Sequence, residues 1–282
     1  MNESERLLRL LGVFLGRFAA DISAEMVEEL VAACGVEREE AFALLLAGRL
    51  GLDAAGEDRA FYARCLRPSV RLLDAQAYRA DAYYRAVRVP EKKRGAWELK
   101  RMAYRPYEAF VCGDYRETSD GRVLPQIGFF ADRFEYPAAL ENGREWMTVT
   151  PNEIETMRAP LARAHGRTLV FGLGLGYFAF MAAQKESVET VTVVERERAI
   201  IDLFAQELLP QFSAREKIRV VQADAFEYAR ALRGGEYDFA FADLWHDVSD
   251  GLPMYREMRG ILRTKAALET AYWIEETMKW YE

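Results

Sequence analysis

Three closely spaced glycines are the first residues in this sequence that could form part of a ligand site. Gly172, Gly174 and Gly176 alternate with leucine and directly follow residues 168–171, a short β-branched and apolar run. Because glycine has no side chain, such a run lets the backbone turn sharply and approach a ligand beside the start of a helix. A tight strand-to-helix turn needs glycine even without a ligand, so the loop alone fits both a nucleotide site and a plain turn.

Three carboxylates follow three further runs of the same kind. Glu195 comes 23 residues after Gly172 and can accept hydrogen bonds from two vicinal ribose hydroxyls. Asp224, followed by Ala225, can accept one from the amino group of adenine, and Asp243 is expected to face the reacting end of such a ligand. An acid at the end of a strand is, by itself, usually a helix cap or part of a solvated turn. Glycines and acids at successive strand ends together favour a nucleotide site.

The elements that position these residues alternate between helix and strand. A helix begins at Thr150 or Asn152 and ends near Ala164, and short strand-like runs separated by helical segments come after it. This alternation is typical of parallel strands joined by right-handed crossovers, and ligands bind beyond the carboxyl ends of such strands. We therefore expect an α/β fold with a doubly wound, mostly parallel sheet. Its predicted strands are residues 168–171, 190–194, 218–221 and 237–242.

Residues 167–247 resemble the class I S-adenosylmethionine-dependent methyltransferases. The runs Val191-Thr-Val-Val-Glu195 and Gln222-Ala-Asp-Ala225, with Asp243, are similar to the spermidine synthase branch in particular. The resemblance implies a Rossmann-like fold with S-adenosylmethionine as the cofactor. It also implies that the glycine loop lies under the methionine part, that the second strand's acid holds the ribose and that the third strand's acid lies near adenine. The implied cofactor-binding residues are Gly172, Gly174, Gly176, Glu195, Asp224 and Ala225.

The sequence differs from the family's usual pattern at several points, so the resemblance is compatible with more than one function. Val170 stands where these methyltransferases usually carry an acid, and Leu175 stands where spermidine synthases carry one. The family's sheet usually has three more strands after this point. The residues after Asp243 have room for a helix over 253–262, a short extended piece near 272–274 and a last helix, so we expect a sheet shortened on its C-terminal side. The expected function is methyl transfer to a small-molecule or protein acceptor. The alternatives are an aminopropyltransferase-like enzyme and a non-catalytic S-adenosylmethionine-binding protein.

A nicotinamide-dependent oxidoreductase is a further alternative. The run Gly174-Leu-Gly176-Tyr-Phe-Ala179 fits a dinucleotide fingerprint with alanine in third place, and Glu195 then suits the ribose of NAD(P). Against this function, Asp224 would have no required role. No Tyr/Lys or His/Asp pair stands out in the sequence as a hydride-transfer site.

The predicted acceptor end of the site contains Asp243, His246 and Asp247. Asp243 and Asp247 resemble the paired aspartates of spermidine synthases, with a spacing of four rather than three. Because imidazole in general titrates close to neutral pH, His246 can act as a general base, whereas an exposed loop histidine is the favoured alternative. We expect Asp243, together with His246, to orient or deprotonate the acceptor. One histidine with two carboxylates falls short of a metal site, so no metal is predicted.

The region before residue 106 has a helical pattern. Leu7, Leu11 and Phe14 recur at spacings of three and four, and Asp21 or Ser23 can cap the next helix. Further helices are predicted over residues 38–50, 58–66, 69–87 and 91–103. Residues 1–105 are therefore expected to form an all-helical region in front of the β strands.

A small antiparallel β unit is predicted between the helices and the parallel sheet. Residues 107–112 and 122–130 have strand-like patterns and are separated by a turn at residues 119–121. Asn142-Gly143 is a strong hairpin signal because both residues tolerate positive φ. With the parallel sheet, this unit makes residues 106–282 the second predicted domain.

Composition narrows the class of protein further. The 282 residues are 51% hydrophobic and 29% charged, which is typical of a folded globular chain. The net charge of -7 argues against a nucleic-acid partner on electrostatic grounds. Cys34, Cys65 and Cys112 are odd in number and far apart, and no signal peptide or membrane span is recognisable. We expect a cytoplasmic protein without a membrane partner, whose helical region can act as a lid, a substrate-selecting domain or a homodimer surface.

Overall fold

The computed structural model describes residues 2–282, whose contacts divide into two compact units. The first unit comprises residues 2–78 and 103–135, and the second comprises Arg79–Met102 and Tyr136–Glu282. Each unit combines two separate stretches of chain. The division into two domains after residue 105 stays a prediction.

The first stretch of the first unit is helical, as its apolar spacing predicts. Asn2 caps the first helix, on which Leu7 and Phe14 are buried, while Ser23 caps the second and Gly35 ends it in the left-handed conformation. The helices are α1 (Glu3–Arg17), α2 (Ala24–Cys34), α3 (Arg38–Arg49) and α4 (Arg59–Phe61), which continues as helical turns over Tyr62–Leu66 and Arg67–Ser69.

The expectation that residues 1–105 are all helical is wrong in two places. The observed elements are β1 (Val70–Leu72), α5 (Ala75–Arg79), α6 (Ala82–Ala86), β2 (Lys92–Arg94) and β3 (Trp97–Tyr104). Strands β2 and β3 form a hairpin in which Arg94 lies opposite Trp97 and Gly95 has a φ of 61°. Trp97 and Leu99 are buried while Glu98 is half-buried, so the true apolar period here is two.

Two further strands complete the sheet of the first unit. They are β4 (Phe110–Glu117) and β5 (Val123–Phe129), and Gly121 lies in the turn between them as predicted. The strand order is β1-β5-β4, with β1 parallel and β4 antiparallel to β5. Every residue of β5 is buried, and Phe129 stacks on Phe42 of α3 with 3.9 Å between ring centroids. The helices of this unit therefore share one apolar core with its central strand.

The predicted hairpin at Asn142-Gly143 is confirmed. It joins β6 (Phe134–Glu141) to β7 (Arg144–Thr148), and its two residues have φ values of 51° and 80°. Strand β6 lies beside β3, which gives the strand order β2-β3-β6-β7. Within this sheet, β7 is an edge strand.

The second unit contains the predicted doubly wound parallel sheet, which has five strands within residues 2–282. They are β8 (Gly166–Phe171), β9 (Val188–Glu195), β10 (Ile218–Gln222), β11 (Phe239–Ala242) and β12 (Glu269–Tyr272). The helices are α7 (Pro151–Arg163), α8 (Tyr177–Ala183), α9 (Arg198–Leu203), α10 (Ala225–Ala231), α11 (Val248–Leu262) and α12 (Glu275–Trp280). The fold is thus α/β and Rossmann-like.

The strand order β10-β9-β8-β11-β12 determines where a ligand can bind. The chain moves outward from β8 to β10 and then crosses to the other side of β8 to form β11 and β12. The order therefore reverses between β8 and β11, and a crevice opens at the carboxyl ends of these strands. No helix in residues 2–282 has the length and apolar character needed to cross a bilayer.

Candidate functional site

A cavity of about 390 Å³ lies at the carboxyl ends of β8, β9 and β11, and all of its lining residues belong to the second unit. Backbone hydrogen bonds hold the loops side by side where they leave the sheet. The N–H of Gly172 donates to the carbonyl of Val194 at 3.0 Å, and that of Asp243 donates to the carbonyl of Phe171 at 2.9 Å. Cavities of roughly 300 to 1,000 Å³ are typical of small-molecule sites.

Most of the residues singled out in the sequence line this cavity. Those predicted to bind the cofactor that line it are Gly172, Gly174, Glu195, Asp224 and Ala225, and the predicted catalytic residues that line it are Asp243 and His246. Gly176 and Asp247 are not among the lining residues within the described chain. The fold thus brings together seven of the nine predicted residues at one cavity.

The three glycines of the loop serve different purposes. All have positive φ, with values of 97° at Gly172, 55° at Gly174 and 78° at Gly176. A Cβ atom would lie 2.0 Å from the backbone oxygen of Asp243 at Gly172, and 2.4 Å from the Phe204 ring at Gly176. At Gly174 it would meet no heavy atom within 4 Å. Gly172 and Gly176 are therefore needed for packing, whereas Gly174 leaves open space beside the cavity.

An aromatic segment that precedes the β hairpins in the sequence packs against the glycine loop. The sequence did not indicate this contact. The hydroxyl of Tyr83 donates to the carbonyl of Leu175 at 2.7 Å, and its ring contacts those of Tyr177 and Phe180. Complete burial of Tyr83 raises the pKa of its phenol, which therefore stays protonated and donates this bond. The hydroxyl of Tyr177 donates to Asp81 at 3.1 Å. This segment fixes the loop that lines the cavity.

Glu195, the last residue of β9, links the first two loops. Its side chain accepts hydrogen bonds from the N–H of Leu173 at 3.2 Å and from the N–H of Glu197 at 2.9 Å. The residue is 9% exposed and still lines the cavity. Each carboxylate oxygen has a second lone pair, so the carboxylate can accept further bonds from a ligand.

Asp224 is the helix cap that one of its two interpretations predicted. Its Oδ1 atom accepts hydrogen bonds from the N–H groups of Phe226 and Glu227, both at 2.9 Å, at the start of α10. Asp224 also lines the cavity beside Ala225. Because Oδ1 makes both capping bonds, Oδ2 can accept from a ligand without loss of the cap.

A further carboxylate that lines the cavity, Glu153, was missed by the sequence interpretation. Glu153 lies in the first turn of α7, lines the cavity, and accepts a hydrogen bond from Thr148 Oγ1 at 3.4 Å. Burial raises the pKa of Asp243 to about 7. Burial raises the pKa of Glu153 well above its usual range, and the negative charge of Asp243 raises it further. The signal in the sequence was weak because an acid in the first turn of a helix is commonplace.

The other two predicted catalytic residues lie at the start of α11. His246 Nδ1 lies 3.1 Å from Asp250 Oδ2, and the ring packs edge-on against Trp146 with 4.0 Å between centroids. Asp247 caps α11 and accepts from the N–H and hydroxyl of Ser249, both at 2.6 Å. Its carboxylate thus caps an exposed helix start, and the expectation that Asp247 contributes to a catalytic pair stays a prediction.

The cavity walls are aromatic and strongly acidic. Trp97 and Trp146 pack edge-to-face near its rim, and Phe178 stacks on Phe241 with 4.1 Å between centroids. Arg196 is the one lysine or arginine among the described lining residues. The carboxylates that line the cavity are Glu141, Glu145, Glu153, Glu195, Glu197, Asp224, Asp243 and Asp250. Nevertheless, no group of three or more ligands suited to a metal ion occurs in the part of the chain that the structure describes.

Neither a protein-family model nor a curated protein matches this chain. Among solved structures, spermidine synthase from Thermotoga maritima matches with a TM-score of 0.35 and 18% identity, covering 50% of this chain and 52% of that one. A spermidine synthase in complex with the transition state analogue AdoDATO matches over the same shares, with a TM-score of 0.35 and 20% identity. Precorrin 8w decarboxylase from Methanobacterium thermoautotrophicum matches with a TM-score of 0.32 and 18% identity, covering 42% and 58%. The chain spans about half the length of the spermidine synthases that it matches.

Proposed function

We propose that this protein binds S-adenosylmethionine in the cavity of the second unit and transfers its methyl group to a small-molecule or protein acceptor. The observation that supports this most is the convergence of Gly174, Glu195 and Asp224 on one cavity. These residues come from three different loops, and capping alone would not require them to share a cavity.

The residues present fit an adenosyl ligand. The open space beside Gly174 leaves room for a ligand against the loop backbone, and Glu195 can accept from ribose hydroxyls while it still links the two loops. Asp224 keeps one oxygen for an exocyclic amino group while the other caps α10. When bound, S-adenosylmethionine supplies a methyl carbon on a positively charged sulfur. Catalysis by the chain would then consist chiefly of holding the acceptor in line with that carbon.

The acidic cavity favours an acceptor that carries positive charge, such as an amine. In the proposed reaction, an ammonium group gives one proton to the Asp243 carboxylate, and the neutral nitrogen attacks the methyl carbon. The nitrogen–carbon bond forms as the carbon–sulfur bond breaks, and the electron pair of that bond stays on sulfur. Asp243 suits this role because its pKa of about 7 lets it accept a proton near neutral pH. His246, held by Asp250, lies at the same end and can orient the acceptor.

Calorimetric titration with S-adenosylmethionine tests the binding half of this proposal. We expect Glu195→Ala to weaken binding about ten- to a hundredfold, because hydrogen bonds to a charged carboxylate contribute about 1.5 to 3 kcal/mol. Glu189→Ala is the matched control, since Glu189 is an exposed acid on the same strand, β9. Equal dissociation constants for Glu195→Ala and the wild type would remove the ribose assignment. Failure of the wild type to bind at high micromolar concentration would reject the proposed function.

Aminopropyl transfer is a second candidate, favoured by the excess of carboxylates around the cavity. The carboxylate of S-adenosylmethionine would be repelled by these acids, and Arg196 is the one lining arginine or lysine in the described residues. The decarboxylated form of the same molecule lacks that charge. Tighter binding of the decarboxylated form than of S-adenosylmethionine would support aminopropyl transfer, and the reverse order would support methyl transfer.

A further inference from the structure

The imidazole ring of His246, which lines the cavity, is held from two sides. On one side its Nδ1 atom lies 3.1 Å from Oδ2 of Asp250, in the first turn of α11. On the other side the ring packs at 88° to the indole of Trp146, with 4.0 Å between centroids. A half-turn of the ring about its Cβ–Cγ bond would put a carbon atom against Asp250. The two contacts together therefore favour one orientation of the ring.

The indole of Trp146 is itself supported by a buried ring. Trp97 of β3 is 3% exposed and packs edge-to-face against Trp146 of β7, with 6.0 Å between centroids. Both tryptophans belong to the antiparallel sheet β2-β3-β6-β7, whereas His246 follows β11 of the parallel sheet. The aromatic surface that His246 contacts is thus part of a folded sheet and does not depend on the loop that carries the histidine.

Asp250 does more than complete the cap of α11. Its Oδ1 atom accepts hydrogen bonds from the N–H of Asp247 at 3.1 Å and from the N–H of His246 at 3.2 Å. The bond from Asp247 is the second half of the capping box at this helix start. A capping box does not require the additional contact between Oδ2 and the imidazole, so that contact is specific to the histidine.

The carboxylate of Asp250 determines which ring nitrogen of His246 carries the proton. Burial alone would raise the pKa of Asp250, but hydrogen bonds from Asp247 and His246 outweigh burial and lower this pKa below its usual value. Asp250 is therefore ionised at neutral pH and can only accept hydrogen bonds. Nδ1 must be the donor, and in a neutral imidazole Nε2 then has a free lone pair. Within residues 2–282, Nε2 has no hydrogen-bond partner.

We propose that Asp250 is a positioning residue that keeps the proton of His246 on Nδ1, so that Nε2 accepts a hydrogen bond from an N–H or O–H group of the molecule entering the cavity. This arrangement selects for ligands that carry a donor group. A cation without a donor would gain only electrostatic attraction from the acids that line the cavity. The identity of the entering molecule as a methyl acceptor rests on the proposed function, whereas the tautomer of His246 does not.

Nitrogen-15 NMR of the ligand-free protein at about pH 9, where an ordinary histidine is neutral, tests the tautomer. The chain has two histidines, and His165 is an internal reference because its Nδ1 lies 3.0 Å from the carbonyl of Arg163, which can only accept. A His165→Gln variant assigns the signals. We expect both wild-type rings to have a protonated Nδ1 and an unprotonated Nε2, whose resonances lie far apart. A proton on Nε2 of wild-type His246 would overturn the proposal.

Asp250→Asn should move the proton of His246 from Nδ1 to Nε2. The single oxygen of asparagine is expected to keep the two backbone bonds of the helix start, which leaves its N–H₂ group to donate to Nδ1. Asp250→Ala removes the acceptor altogether and should leave a mixture of tautomers. Asp247→Asn is the matched control, because the Asp247 carboxylate bonds Ser249 rather than the ring, and it should not change the tautomer. An unchanged tautomer in both Asp250 variants would overturn the proposal.

Two probe cations test the role of Nε2 in the same NMR experiment. Propylammonium carries N–H donors, tetramethylammonium carries none, and each has one positive charge. Propylammonium should shift the wild-type Nε2 resonance of His246 towards that of a hydrogen-bonded nitrogen, and tetramethylammonium should shift it far less. In Asp250→Asn this difference between the probes should disappear. Equal shifts from both cations in the wild type, or no shift from either, would overturn the proposal. These measurements need no S-adenosylmethionine, so failure of that molecule to bind would reject the proposed function alone.

Discussion

Removal of the Asp243 carboxylate should stabilise the protein at neutral and alkaline pH. In the folded protein burial raises the pKa of Asp243 from 3.8 to about 7. The unfolded chain therefore loses this proton at lower pH than the folded protein does. Between the two pKa values the folded state binds more protons, so the wild-type stability falls as pH rises. Asp243→Asn has no proton to hold, and its stability should not show this fall.

The size of the effect comes from the same two values. At about 1.4 kcal/mol for each pKa unit, the difference between 3.8 and about 7 corresponds to about 4 kcal/mol. Asp243 is half-buried and faces a cavity that water can enter, which screens its charge, so about 2 kcal/mol is the realistic gain. This gain should be complete above the folded pKa and absent below the unfolded pKa.

Urea unfolding at about pH 5 and about pH 8 measures this gain, provided that the slope of each transition stays constant. Asp247→Asn is the matched control, because asparagine caps a helix as well as aspartate does and Asp247 is exposed. We expect the control to match the wild type at both pH values. An Asp243→Asn protein that is less stable than the wild type at the higher pH would refute the reasoning, because burial of that charge would then cost the fold nothing.

Three further predictions concern the loops around the cavity. Gly172→Ala should prevent stable folding of the loop, because the new Cβ would overlap a backbone oxygen. Gly174→Ala should lower the free energy of unfolding by only about 1 to 2 kcal/mol, which is the cost of a positive φ for alanine, and urea unfolding distinguishes the two variants. Tyr83→Phe should lower stability by about 1 to 2 kcal/mol, because the buried carbonyl of Leu175 loses its donor, and calorimetry should also show weaker binding of S-adenosylmethionine. Asp224→Asn should keep the thermal midpoint, since asparagine also caps, but should weaken that binding because its amide N–H₂ group replaces an acceptor.

The parallel sheet and its loops could be predicted because each depends on a local pattern. Short apolar runs predicted β8 to β11, and most of the glycines and acids directly after these runs line the cavity. The hairpin β2–β3 could not be predicted by the same means. Its first strand is three basic residues, and residues 91–103 were predicted as a helix although Trp97 and Leu99 alternate with charged residues.

Glu153 shows why part of the site was not accessible from the sequence. The rule that located Glu195 and Asp243 is topological, since it considers only the residues directly after a strand of the sheet. Glu153 precedes β8 on the helix that leads into the sheet, so the rule passes over it. Its importance arises in the folded chain alone, where burial and the charge of Asp243 together raise its pKa.

The residues at this cavity hold the fold together as well as lining the site. Asp224 caps α10 and Glu195 links two loops, so either could be retained for structure alone. Glu153 and Asp243 differ, because a buried acid whose pKa is raised weakens the fold at neutral pH. A chain with no use for that pair would be more stable with an amide at either position. Stability alone can therefore explain Asp224 and Glu195, but it does not explain the presence of Glu153 and Asp243 at the cavity.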